Sequence, residues 1–181
     1  MNVADEVYKQ IGINLLSQCW VPPVPNQLRL DIDAGFDEGR NQFSVGAVIR
    51  DNNGTVLGAS AHIIRHPGSV KDAELCAIRF GMEFCLNLGL HDVNIFSDSL
   101  LAVQAISNSL VDLGPSGVLS IDILIMLKMD AFLSINHMPR SANRAAHRLA
   151  RVASEVSSFV VWCSGDIPDW LLNIVNHDIM K

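Results

Sequence analysis

Three acids stand where carboxylates could do chemistry. Asp33 lies near the end of the alternating segment LRLDIDAG, Glu74 sits in DAELCAIRFGMEFCLNLGL, and Asp98 closes VNIFSD. On a helical wheel Arg79, Glu83 and Asn87 form a wet stripe, while Glu74 falls opposite them among Ile78, Gly81 and Cys85. A lone charge on that apolar side costs several kcal/mol unless something pairs with it. Each acid also has a plainer use: Asp33 on the wet face of its strand, Glu74 as a partner of the helix dipole, Asp98 as a helix cap. Converging together they would repel one another unless cations neutralised them. Oxygen-only donors suit Mg2+ or Mn2+, and two such ions about 4 Å apart are suited to in-line attack of water on a phosphodiester.

The elements needed to bring these acids together are legible along the chain. Leu28, Leu30, Ile32 and Ala34 alternate with Arg29, Asp31, Asp33 and Gly35, which predicts a strand with one buried and one wet face. FSVGAVIRD and VLGASAHIIR, joined by the turn-rich DNNGTV, extend this to a three-stranded antiparallel meander over residues 28–65. The period then changes to that of a helix over residues 72–88, stopped at Gly89. VNIFSD, a helix in SLLAVQAIS, a helix in SIDILIMLKM, a strand in AFLSINHM and a helix from about Ser141 to Ser157 follow. Strand, helix, strand is the grammar of a parallel crossover, and ligands of such sheets gather at the carboxyl ends of the strands.

The chain of 181 residues suits one domain, with 49% hydrophobic residues and a formal net charge of −6. That charge argues against bulk electrostatic gripping of nucleic acid. HMPRSANRAAHRLAR, however, holds Arg140, Arg144, Arg148 and Arg151 without an acid, a basic stripe at helical spacing that could face a polyanion or only water. No apolar run reaches a membrane span, and the first 25 residues lack signal-peptide features, so an intracellular, non-secreted chain is expected, without a membrane partner. Cys19, Cys76, Cys85 and Cys163 are widely spaced and read as reduced core residues. Residues 1–25 are read as an N-terminal amphipathic helix and the proline linker WVPPVPN, residues 26–157 as the domain, and residues 158–181 as a C-terminal extension packing back through Trp162, Trp170 and Leu171.

In order, LDIDAG, GAVIRDNNG, AELCAIRFGM, IFSDSLLAVQAI and INHMPRSANRAAHRLA resemble the ribonuclease H type 1 domain. More narrowly the chain resembles the plant, retroelement-derived, reverse-transcriptase-like members, whose domains often follow a linker like WVPPVP. The resemblance implies an α/β ribonuclease H-like fold, a five-stranded mixed sheet of three antiparallel then two parallel strands, flanked by helices. It implies cleavage of the RNA strand of RNA–DNA hybrids with Mg2+ or Mn2+, two ions, as cofactor. It places Asp33, Glu74 and Asp98 as catalytic metal ligands, with Asp31 the lesser candidate for the first position. His147 stands where the family carries a fourth acid, either as its replacement or as a proton shuttle. Arg140, Asn143, Arg144 and Arg148 are expected to contact nucleic acid, the hybrid or a structured RNA. Val70 and Lys71 occupy the places of paired asparagines in bacterial members. Two other readings stay open: a nucleic-acid-binding module without catalysis, and a protein-interaction domain whose partner contacts the N-terminal helix or the C-terminal tail.

Overall fold

The computed structural model describes residues 18–66, 68–107, 114–156 and 159–179. The amphipathic helix expected before residue 18 lies outside the described residues. The meander forms as expected from β1 (Leu28–Asp37), β2 (Gln42–Arg50) and β3 (Val56–Arg65). Then come α1 (Val70–Asn87), β4 (Val93–Ser97), α2 (Leu100–Ser107), α3 (Pro115–Met126), β5 (Phe132–His137) and α4 (Arg144–Val156). The chain continues through β6 (Val160–Cys163) and α5 (Asp169–Ile179).

The sheet has six strands in the order β5-β4-β1-β2-β3-β6, not five. β1, β2 and β3 pair antiparallel, β4 and β5 join β1 in parallel, and β6 pairs antiparallel with β3. The sixth strand comes from the segment read as an extension. It is only four residues long, too short for alternation to announce it. It covers the β3 edge, which would otherwise leave a row of unpaired backbone groups.

Helix starts follow local capping. Ser69 and Asp72 form a reciprocal capping box, so α1 begins two residues earlier than its apolar period predicts. Pro115 opens α3, its missing N–H being one that a first turn leaves unbonded anyway. Arg140–Ala142 form a separate 3-10 turn before α4, so Arg140 is off the helical stripe that its spacing placed it on.

One core lies between the sheet and α1 to α3, built from Leu30, Ile32, Leu75, Ile78, Met82 and Ile95 among others. A second lies under α4 and α5, where Val48 and Ala61 meet Ala146, Leu149, Leu171 and Val175. The face of β1 expected to be wet is therefore covered: Arg29 and Asp31 are both buried. Trp162 and Trp170 meet edge to face, and Leu171 is fully buried, so the C-terminal segment packs back as its aromatic residues predicted. None of the cysteines is in a disulfide; Cys85 is buried, Cys19 and Cys76 are half-buried and Cys163 is exposed, so only Cys85 is the fully buried core residue expected of all four. No helix of the described residues is long and apolar enough to cross a membrane.

Candidate active site

The parallel pairing of β1 with β4 ends at Ile32 and Ser97, which sets Asp33 beside Asp98; Asp33 itself lies in the middle of β1, not near its end as expected, because the ladder with β2 carries the strand on to Asp37. Glu74 enters from α1, which crosses the β1 side of the sheet where Gly81 lets the helix lie against Leu30 and Ile32. Each of Asp33, Glu74 and Asp98 offers a carboxylate oxygen, and these atoms lie within 4.8 Å of one another. Asp33 and Glu74 are buried and Asp98 is half-buried. Capping of α2 falls to Ser99, whose hydroxyl accepts from the Ala102 amide at 3.3 Å, so that plainer use for Asp98 is already filled.

Crowding shows in the electrostatics. Burial, then the charges of Asp33 and Asp98, push the Glu74 carboxyl up to about 9, against the opposing pull of Arg140. Burial and the Asp98 charge push Asp33 up to about 6, although a hydrogen bond to His147 and the charges of His147 and Arg140 work the other way. Bare carboxylates in this arrangement disfavour their own ionised forms. A divalent cation would remove that penalty, so the donor set fits Mg2+ or Mn2+.

His147 reaches the cluster from the other side. Gly46 pairs with Asp33 across the β1/β2 ladder, and a Cβ on Gly46 would overlap the Ala146 carbonyl and the Ala150 amide. Without that Cβ, α4 rests directly on β2. His147 Nδ1 then lies 2.7 Å from Asp33 Oδ2, at the rim, with its side chain 37% exposed. It is paired with one acid and stands outside the group of mutually close ligand atoms. Arg140 Nη2 lies 3.4 Å from the same imidazole nitrogen.

The other expected nucleic-acid contacts are placed less alike. Asn143 is buried, its side-chain amide donating to the Ile32 carbonyl at 2.9 Å. Arg144 leans toward Asp178 at 4.0 Å. Arg148 pairs with Glu155 at 2.9 Å and lies over the Trp170 ring, and Arg151 approaches the same Glu155. Asp31 is fully buried between Arg29 Nε at 2.6 Å, Arg50 Nη2 at 2.5 Å and the Trp20 indole N–H at 2.9 Å. Burial pushes its carboxyl up, but the charges and hydrogen bonds of Arg29 and Arg50 together outweigh it and hold the carboxyl below the usual range, so it is committed to an ion cluster and outside the metal cluster. Strand alternation could not have found that cluster, because its members come from the linker, two strands and α5.

Comparison with known proteins agrees with the geometry. The reverse transcriptase-like family matches residues 31–153. An Arabidopsis thaliana protein named for ribonuclease H is 28% identical over 163 residues, covering 89% of this chain and 26% of that protein. The chain thus spans about a quarter of that relative's length. Among solved structures, the RNase H1 of Halobacterium salinarum has a TM-score of 0.65 at 20% identity, covering 72% of this chain and 99% of its own. A compost-derived RNase H1, solved in complex with an RNA/DNA hybrid, has a TM-score of 0.62 at 23% identity over 72% of this chain and 99% of its own. The fold is ribonuclease H-like, and the chain belongs to the reverse transcriptase-like family.

Proposed function

We propose that this chain is a divalent-metal-dependent endonuclease that hydrolyses the RNA strand of RNA–DNA hybrids. The observation that carries the reading is the convergence of Asp33 in β1, Asp98 just after β4 and Glu74 in the first turns of α1 on a ribonuclease H-like sheet. Those three side chains would hold two Mg2+ or Mn2+ ions. Such ions, when bound, lower the pKa of water and neutralise charge developing on the phosphodiester. Asp33 is oriented by His147, whose imidazole can hold or pass a proton at Nδ1, and His147 is the candidate for the remaining ligand position. Arg140, beside the acids and exposed, meets the phosphate nearest the reaction. Arg144 and Arg148, each 44% or less exposed and next to an acid, would exchange those partners for phosphates further along the strand.

A second reading has one observation in its favour. His147 pairs with Asp33, and no fourth carboxylate joins the group among the described residues, so weak catalysis in a module that mainly binds nucleic acid or a protein is the alternative. A labelled RNA–DNA hybrid incubated with Mg2+, Mn2+ or chelator separates the two. Metal-dependent cleavage by the parent and its loss in Asp98→Asn supports the nuclease. Binding of the hybrid with no cleavage in either metal supports the module.

A further inference from the structure

Arg29 has an unusual set of neighbours for a residue on a strand face expected to be wet. Its Nε donates to Asp31 Oδ1 at 2.6 Å, two residues before Asp33. Its guanidinium stacks 3.9 Å from the centre of the Phe96 ring, two residues before Asp98. Its Nη2 donates to Met138 Sδ at 2.9 Å, two residues before Arg140. Its Nη1 donates to the Val21 carbonyl of the proline linker at 2.7 Å, and the Trp20 ring covers it from 5.4 Å. One side chain therefore touches each of the three segments that carry Asp33, Asp98 and Arg140.

Those segments are also tied by backbone pairing and by side chains that reach one segment from another, such as Asn136 Nδ2 donating to the Ile95 carbonyl at 3.4 Å and Asn143 to that of Ile32, but none of these reaches all three. The Met138 amide donates to the Ser97 carbonyl, and the Arg140 turn is held from outside by the Ser141 hydroxyl on the Gln18 carbonyl. Burying a guanidinium costs free energy that an apolar side chain of similar volume would avoid. The charge is retained in a neutral cluster of Arg29, Asp31, Arg50 and Asp178, all buried. Only a planar, multidentate cation can serve a carboxylate, a carbonyl, a thioether and an aromatic face at once.

We propose that Arg29 is a positioning residue that sets Asp33, Asp98 and Arg140 relative to one another, with Val21 and Trp20 of the linker completing its cage. The consequence for metal binding rests on the proposed function; the consequence for backbone order does not. The linker is then part of the platform under the site.

The test compares the full-length parent with Arg29→Lys, which keeps the charge but not the fork, and with Phe96→Leu, which removes the aromatic face and decides the matter should Arg29→Lys fail to fold. Val175→Ala, in the core under α5, serves as a control of reduced stability. Hydrogen–deuterium exchange of metal-free protein reads residues 30–35, 95–99 and 136–142, and titration calorimetry reads Mn2+ binding. Faster exchange in all three segments together, a roughly tenfold loss of Mn2+ affinity, and neither change in Val175→Ala support the proposal. Parental exchange in the three segments, or the same pattern in Val175→Ala, overturns it. A parent that binds no Mn2+ would overturn the metal reading of the site, and the exchange pattern would still decide the role of Arg29.

Discussion

His147 Nδ1 and Asp33 Oδ2 are 2.7 Å apart although 114 residues separate them in the chain. The pair fastens the last long helix to the first strand at the edge of the acid cluster. Because Asp33 also faces Asp98, its carboxyl is pulled in two directions, and burial with the acid neighbour outweighs the imidazole.

Substituting His147 is the most direct probe of that balance. His147→Asp restores a fourth oxygen donor and adds a negative charge. With Mg2+ its kcat/KM is expected to rise roughly tenfold more than with Mn2+, since an imidazole favours Mn2+ relative to a carboxylate. Without metal the same variant should melt below the parent, because a further carboxylate joins acids that already repel. Equal kcat/KM ratios in the two metals would place His147 outside the metal site.

Glu74 makes the metal-free protein sensitive to base. Its carboxyl ionises near its ordinary value of 4.5 when unfolded and at about 9 when folded. Between those values the folded state holds a proton that the unfolded state has lost, so stability falls as pH rises through that window. Asp33 adds the same trend from 3.8 to about 6. Thermal melts in chelator should therefore drop from pH 5 to pH 9, and Glu74→Gln should flatten the drop, raising Tm at pH 8 by roughly 4–8 °C, equivalent to about 2 kcal/mol in a chain of this size. Divalent ions should raise the parent's Tm most at the alkaline end, where the carboxylates they bind are otherwise penalised.

Gly46 is where the approach of α4 can be tested. Gly46→Ala puts a methyl against the Ala146 and Ala150 backbone, which cannot swing aside as a side-chain tip would. A loss of about 2 kcal/mol or more is expected in urea unfolding. Separation of His147 from Asp33 should accompany it, read as a changed imidazole environment by NMR. A variant as stable as the parent would mean that α4 is not seated on β2 as described.

Arg144 and Arg148 test whether the basic stripe meets phosphate. Arg144→Ala/Arg148→Ala should weaken hybrid binding and reduce the slope of log K against log salt by about 1 to 2, one released counterion for each lost contact. Their present partners, Asp178 and Glu155, predict little change in stability from losing Arg148, because exposed ion pairs contribute little. An unchanged salt slope would favour a protein-binding role for this face.

Sequence alone determined the order of elements from β1 to α4 and picked out the three acids that the fold brings together, because both are local. Glu74 announced itself by lying opposite its helix's wet stripe, Asp98 by closing the short apolar strand VNIFS, and Asp33 by its place on the alternating LRLDIDAG. Alternation along β1 also separated its two faces correctly, with Leu30 and Ile32 on one and Arg29 and Asp31 on the other. What it could not say is what covers each face. Arg50 and Asp178 meet across 128 residues, the cage around Arg29 draws on the linker, β4 and the end of β5, and the short β6 exists because β3 offers it an edge. Periodicity reports the direction a side chain leaves the backbone. Whether water or another segment waits there is decided only when distant parts of the chain pack, and on that packing depend the buried charges, the pairing of His147 with Asp33 and the inward turn of Asn143.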